Sequence, residues 1–399
     1  VATAGEELPM LDLEQLRRDT PGCLDRVFLD SAGSSLPPEP VLTTVIGHLR
    51  REAEVGGYLA AAERSDDLAA VRRSLAHLIG AEPTEIALVD SATRAWNEFV
   101  AAIRFVPGDR ILISRVEYAS NAITALHRAR AAGATVEVVP SDASGRIDLD
   151  SLERMLDDRV RLVSLVHVPT NGGLINPIRE VVDIAHRHGA LVLLDACQSV
   201  GQLPIDVAAL GVDALSTTGR KWLRGPRGTG FLYVRGELVE SLDPVALDMR
   251  SADWTGPDTY RPAPDATRFE LWEYDVAARL GLGVAADYLL DIGIDYAAHA
   301  IAERADAMRA GLSGLKGVTV RDLGTDRSGI VTFTVDDIDA MSVREQLVDK
   351  QITVTVSPRS STLLDMNARG LDAVVRASPH YFVSEGDIET FLDAVARLA

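Results

Sequence analysis

Cysteine is almost absent from this chain: among 399 residues only Cys23 and Cys197 carry thiols. Two isolated cysteines cannot build a disulfide framework or a cysteine-rich metal cluster, and they suit a reducing compartment. The eight histidines show no metal-ligand spacing, so no metal is expected. Positive charge is scarce as well. A formal net charge of -19 and a pI near 4.8 argue against nucleic acid as a partner, because phosphate backbones attract basic faces. No apolar run approaches the roughly 18 residues that a membrane span requires, so no membrane partner is expected. The segment Val1 to Asp12 is acidic and lacks the basic start and apolar core of a secretory signal, which makes the cytoplasm the expected location. No Gly-x-Gly-x-x-Gly follows a strand near the start of a beta-alpha-beta unit, which excludes a dinucleotide fingerprint. Internal repeats and low-complexity tracts are missing too.

What remains is an ordinary globular chain, 47% hydrophobic, with a length that suggests two or three domains. Apolar residues at helical spacing predict helices over Val41 to Leu49 and Leu68 to Ile79, the second stopped by Gly80. Short apolar runs then recur at Ile86-Val89, Ile111-Ile113, Val136-Val139, Leu162-Val166, Leu191-Leu194, Ala214-Ser216 and Gly230-Val234. Helical patterns such as Trp96-Phe105 and Val181-His188 lie between most of them. This alternation predicts an α/β fold with a mainly parallel seven-stranded sheet covered on both faces. Asp248 to Asp265, rich in Pro, Gly and Asp, reads as a loop. Beyond about Asp275 come helical patterns over Val276 to Asp291 and Ala298 to Leu315. Strand-like Val318-Val320, Ile330-Val335 and Ile352-Val356 then surround the helix Ser342-Val348, and Glu385 to Leu398 closes the chain as a helix. The expected division is residues 1–27 as an N-terminal segment packing on the small domain, 28–265 as a large domain and 266–399 as a smaller C-terminal α+β domain.

Two residues carry the most chemistry. Asp195 ends the unbroken apolar run Leu191-Leu194, where an unpaired carboxylate is costly, so it requires a cationic or donor partner. Lys221 stands about one strand and one turn later, behind the hydroxyl-rich Ser216-Thr217-Thr218-Gly219-Arg220. A buried amine and a buried carboxylate in this order are what pyridoxal 5'-phosphate needs, the amine to hold its aldehyde and the carboxylate to keep its ring nitrogen protonated. A helix N-terminus or an arginine would satisfy Asp195 equally well.

In an open parallel sheet, ligands gather beyond the carboxyl ends of the strands, where helix N-termini offer free amides to phosphate. Asp90-Ser91-Ala92-Thr93-Arg94 occupies such a place, so the amides of Ala92 and Thr93 and the Thr93 hydroxyl are phosphate candidates; Ser91 or Thr93 could instead only cap the helix. Thr218 and Arg220 form a second candidate set, since guanidinium geometry suits phosphate. Lys221, Arg224 and Arg227 could alternatively be a solvated basic loop. Gln198 and Asn171 could donate to the ring's phenolate oxygen, although Asn171-Gly172 is also a common turn dipeptide. Tyr118 is placed to stack on a flat ring, or to lie in the core.

In this order the motifs resemble the class V aminotransferase group of fold-type I pyridoxal-phosphate enzymes, which includes cysteine desulfurases, selenocysteine lyases and isopenicillin N epimerase. The likeness runs from Phe28-Leu29-Asp30-Ser31-Ala32-Gly33 to Val375-Arg376-Ala377-Ser378-Pro379-His380-Tyr381-Phe382. It implies that Lys221 is the Schiff-base lysine, Asp195 the pyridine partner, Tyr118 the residue where the family has a stacking His, and Arg376 the grip on the substrate carboxylate. Ala32, Gly33, Trp272 and Arg359 complete the implied substrate side. The resemblance also implies an amino-acid substrate and a homodimer, for which Trp254 and Trp272 are candidate interface aromatics.

Departures from the family pattern bear on the reaction. A cysteine desulfurase needs a nucleophilic Cys on the loop before its final helices, because a thiolate must attack the substrate sulfur. Here that loop reads Thr355-Val356-Ser357-Pro358-Arg359-Ser360-Ser361-Thr362. Cys197, beside Asp195 and beneath the cofactor, cannot replace it. Trp272 and Glu273 stand where the family has Gly-Thr after the Phe-Glu pair, and Arg220 where it usually has His. These features resemble the Cys-less carbon-sulfur lyases such as hercynylcysteine sulfoxide lyase. The resemblance implies a lyase cleaving a carbon-sulfur bond of an S-substituted cysteine or its sulfoxide by beta-elimination. An aminotransferase or amino-acid epimerase of class V is the alternative with the same cofactor, and a non-catalytic protein of the same fold is a third.

Overall fold

The computed structural model describes residues 12–399. After a short strand β1 (Val27–Phe28), the seven apolar runs become β2 (Ile86–Val89), β3 (Arg110–Ser114), β4 (Thr135–Val139), β5 (Val160–Val166), β6 (Leu191–Asp195), β7 (Ala214–Thr218) and β8 (Gly230–Val234). They form one sheet in the order β2-β8-β7-β6-β5-β3-β4. Only β8 runs antiparallel to its neighbours, so the other six strands end on one common edge, and β8 begins there. The central strands read as near-continuous apolar runs because helices cover both faces and leave no solvated side. The helix Ala92–Ala102 buries Trp96, Phe99 and Val100 against one face, each contributing roughly 2 kcal/mol relative to exposure. Gly230 starts β8 where a Cβ would lie 2.5 Å from the Thr217 carbonyl oxygen and 3.1 Å from the Ser91 carbonyl carbon, so this close approach needs the missing side chain.

The stretch read as a loop contains a hairpin, β9 (Ala252–Gly256) and β10 (Thr259–Pro262), closed around Pro257-Asp258. Its turn residues hid the alternation of Trp254 with Tyr260 and their neighbours, and both rings stay exposed. A second sheet combines β11 (Val318–Val320), β12 (Val331–Val335), β14 (Thr355–Pro358) and β15 (Ala373–Ala377), antiparallel in the order β11-β12-β15-β14. The short β13 (Ile352–Thr353) pairs in parallel with β1 and ties the N-terminal region to this sheet. β15 has no periodic signature in the sequence because Arg376 interrupts its apolar run.

Contacts of the N-terminal residues and of residues 266–292 reach across the expected boundaries. Arg17 pairs with Asp387 of the final helix, yet Asp19 accepts from Tyr288 and Thr20 from Arg224, so the described part of the N-terminal segment touches more than the small sheet. Residues 266–292 stay with the large sheet. The helix Val276–Ile292 packs on the helices Glu39–Val55 and Ser65–Ile79. Glu270, its side chain fully buried, accepts from Arg72 at 2.5 Å, from Arg250 and Arg279 at 3.3 Å each, and from the Leu88 amide at 2.8 Å, which locks this segment to β2. Composition shows where turn-forming residues cluster, not which sheet an amphipathic helix covers. Removing one acid from such a buried cluster leaves several cations without their counter-charge. Glu270→Ala should therefore cost about 3 kcal/mol, read as a lower midpoint of urea unfolding at equal cofactor occupancy.

Candidate active site

Five strand ends of the large sheet's common edge supply one pocket of about 240 Å³. Asp90 to Thr93 follow β2, Tyr118 and Asn121 follow β3, Val168 and Thr170 follow β5, Asp195 ends β6, and Lys221 follows β7. Val166, Cys197, Gln198, Thr218, Arg220, Arg227 and Gly228 complete the wall. Here the fold opens a crevice with helix N-termini around it, as open α/β sheets do.

At one end, Ser91 caps the helix Ala92–Ala102, its hydroxyl accepting from the Arg94 amide at 3.1 Å. The cap belongs to Ser91, so the Ala92 and Thr93 amides and the Thr93 hydroxyl stand at the pocket with the helix's positive pole behind them. Thr218 and Arg220 flank the same pocket, Thr218 donating to the Thr229 carbonyl at 3.0 Å and Arg220 to the Gly33 carbonyl.

Asp195 lies 7% exposed. Its Oδ1 accepts from the Cys197 amide at 2.9 Å and its Oδ2 from Asn121 Nδ2 at 2.7 Å. Burial pushes its carboxyl above the usual range, with the Cys197 amide, Asn121 and Lys221 opposing. Burial likewise pulls the Lys221 amine below its ordinary value, an effect that favours the neutral, nucleophilic form. The Lys221 loop is held by its neighbours: Trp222 donates to Gln198 Oε1 at 2.9 Å, and Gly201, at φ 99°, lets the Trp222 backbone pass within 2.5 Å of where a Cβ would be. Tyr118 stands immediately before the helix Ala119–Ala132, at the pocket, and is 39% exposed.

On the side facing the small sheet, Arg376 of β15 donates to Thr170 Oγ1 at 2.6 Å and to Asp30 Oδ1 at 3.2 Å, while its buried Nε has no partner. Ala32 and Gly33 lie beside it, their carbonyls taken by Gln198 Nε2 at 3.0 Å and by Arg220. Thr170, a pocket residue, therefore links Arg376 to the cavity.

Arg376, Ala32 and Gly33 thus stand behind Thr170, Gln198 and Arg220 rather than in the pocket wall, and three further expected residues are elsewhere. The Asn171 amide turns away and donates to Asp365 at 2.9 Å, so Thr170, one residue earlier, occupies the pocket; an Asn-Gly turn signal does not say which way its side chains face. Arg359 is half-exposed and bound to Asp372 and the Leu371 carbonyl, because its short helical turn continues outward from the edge strand β14. Trp272, 50% exposed, has its amide fixed on Asp248 at 2.7 Å and lines a surface groove with Tyr58, Arg250 and Tyr274 instead. Asn121 is the main residue that sequence reasoning missed. The available signal was its place three residues after Tyr118, hence one turn along the same helix. Among the described residues no group of three or more His, Cys, Asp or Glu could hold a metal ion, and no helix is long and apolar enough to cross a membrane.

The donor set fits pyridoxal phosphate: free helix amides, hydroxyls and a guanidinium suit a phosphate, a buried carboxylate suits a protonated ring nitrogen, and an amine with lowered proton affinity suits an aldehyde. Fold and pocket together define a pyridoxal-phosphate enzyme of fold type I. The sequence model of the family described as aminotransferase class-V matches residues 27–391, and the chain belongs to that family. It is 33% identical to a probable cysteine desulfurase of Mycobacterium leprae, over 98% of this chain and 97% of that protein. Among solved structures it resembles the cystine C-S lyase C-DES in complex with its reaction product cysteine persulfide, with a TM-score of 0.86, 25% identity and 94% and 99% of the two chains covered. A lysine-to-alanine variant of C-DES with glycine covalently linked to its pyridoxal phosphate superimposes with a TM-score of 0.87 at 25% identity, over 97% and 99% of the chains.

Lys221→Ala should yield a folded protein that no longer binds pyridoxal phosphate covalently and that loses turnover. Borohydride reduction of the reconstituted protein followed by peptide mass spectrometry is the check: the wild type should carry the pyridoxyl group on Lys221 and the variant on no residue, and an adduct on another lysine of the wild type would remove Lys221 from its anchoring role.

Proposed function

We propose that this chain is a carbon-sulfur lyase that cleaves an S-substituted cysteine, or its sulfoxide, by beta-elimination without an enzyme thiol. The observation that carries this reading is the loop from β14 through the turn Arg359–Ser361, which holds Ser and Thr but no Cys. Neither thiol of the chain can take over. Cys23 is buried beside Arg17 near the N-terminal region, and Cys197 lies in the pocket with burial pushing its thiol upward, which disfavours the nucleophilic thiolate. C-DES, whose product is a cysteine persulfide, supports the same class of outcome, in which the sulfur leaves on a small molecule.

Bound pyridoxal phosphate supplies an aldehyde for the substrate amine and a ring that accepts electron density from the adjacent carbon. The residues of this chain do the rest. Arg376, with an unpartnered buried N–H, binds and orients the substrate carboxylate. Lys221, its proton affinity lowered by burial, takes the alpha proton as general base. Asp195 holds the proton at the ring nitrogen, and Tyr118 covers the ring face. The carbon-sulfur bond then breaks with its electron pair on sulfur, and the leaving group takes up the proton that Lys221 removed, departing as a thiol, or as a sulfenic acid from a sulfoxide. The aminoacrylate left behind takes up water to become pyruvate and ammonia.

A homodimer follows the same reading. Trp254 and Tyr260 of the hairpin, and Trp272, are exposed aromatics that a second copy would cover. Purified holoenzyme offered S-substituted cysteines and their sulfoxides should release pyruvate in proportion to the sulfur product. Conversion of the cofactor to its amine form only when a keto acid closes the cycle would show an aminotransferase instead, and interconversion of L and D substrate without pyruvate would show an epimerase.

A further inference from the structure

Behind Asp195, outside the pocket wall, lies a second carboxyl group with no part in the mechanism above. Glu117, 2% exposed, accepts at Oε1 from its neighbour's amide, Tyr118 N, at 3.0 Å and from Asn121 Nδ2 at 2.9 Å; its Oε2 accepts from Ser164 Oγ of β5 at 2.9 Å. The same Asn121 nitrogen donates to Asp195 Oδ2 at 2.7 Å. One amide group thus spends its two hydrogens on two carboxyl groups, and neither can shift without the other. With Oδ1 held by Cys197 N, Asp195 is pinned at both oxygens.

We propose that Glu117 is a positioning residue for Asp195: through Asn121 it fixes how Asp195 faces the ring nitrogen, and its own protonation sets how strongly Asp195 competes for that nitrogen's proton. The proposal rests on the assignment of the pocket to pyridoxal phosphate.

Glu117 is free to change state. Burial, followed by the nearby Asp195, pushes its carboxyl up to about 8. A hydroxyl such as Ser164's can donate to the ionised form or accept from the protonated one, so either state is satisfied. The other titratable or charged groups around the pair are Lys221, Cys197 and His167. His167, whose amide bonds the Asp195 carbonyl at 3.0 Å, stays neutral because burial lowers its imidazole to about 4. Burial lowers the Lys221 amine and raises the Cys197 thiol, so neither supplies a fixed countercharge to Glu117. When Glu117 ionises, a negative charge appears next to Asp195 and raises its proton affinity, drawing the shared proton away from the ring nitrogen.

The test uses substrate-free holoenzyme loaded with pyridoxal phosphate carrying a nitrogen label in its ring, read by the NMR shift of that nitrogen against pH. The wild type should show a step at about pH 8 toward the deprotonated position. Glu117→Gln, which keeps an acceptor oxygen for Asn121, should hold the wild-type shift at neutral pH and lose the step. Glu117→Ala and Asn121→Ala should each move the neutral-pH shift toward the deprotonated position, and the double variant no further than the larger single one. A residue that only packs would leave all of these signals unchanged in folded, loaded protein. Persistence of the step in Glu117→Gln, or an unmoved shift in a loaded Glu117→Ala, overturns the proposal. A wild type that takes up no cofactor sinks the assignment of the site and the proposal with it, whereas failure confined to the variants' spectra strikes the proposal alone.

Discussion

A carboxylate kept from water at the end of a central parallel strand is the constraint around which this molecule is arranged. Asp195 is deep enough that its ionised form is costly, and its two oxygens are met by one backbone amide and one side-chain amide rather than by a protein cation. That leaves an anion whose proper partner has to come from the pocket. The family's cofactor carries such a partner in its ring nitrogen.

The sheet serves that arrangement directly. Six strands sharing one direction bring five loops to one edge, and the antiparallel β8 returns its starting turn to the same place. Each loop then contributes a different chemistry: free amides after β2, an aromatic and an amide after β3, a hydroxyl after β5, an amine after β7. The small sheet adds Arg376 across the cleft, and the segment around Asp30 to Gly33 bridges it to the large sheet through the carbonyls of Ala32 and Gly33. Lys221 and Asp195 are separated by a whole strand crossing in sequence but act on one cavity because β6 and β7 are neighbours.

Membership of the class V family brings with it the question of which bond is broken. The answer proposed here turns on a missing group, the thiol that a desulfurase loop requires, and on the state of the thiols that remain. Cys197 is close to Lys221 yet pushed toward the neutral form, so proximity alone does not make it a nucleophile. Residues such as Trp272 and Arg359, which the resemblance places on the substrate side, point elsewhere within one chain.

By itself the sequence determined the seven strands of the large sheet and the alternation of helices between them, because fully covered parallel strands must be apolar along their whole length and the helices between them must be apolar on one stripe. It also marked Lys221 and Asp195, since a carboxylate closing an apolar run and an amine behind a hydroxyl-rich turn are chemically expensive unless used. The tertiary structure decided everything that depends on side-chain direction and long-range pairing. It turned Asn171 to Asp365 and put Thr170 in the pocket, kept the helix Val276–Ile292 with the large sheet, and joined Glu117, Asn121, Ser164 and Asp195, supplied by the neighbouring strands β5 and β6 and the segment after β3, into one network. Turn dipeptides and compositional breaks report local backbone preference only; which way a side chain faces and what it meets is set by the neighbouring strands.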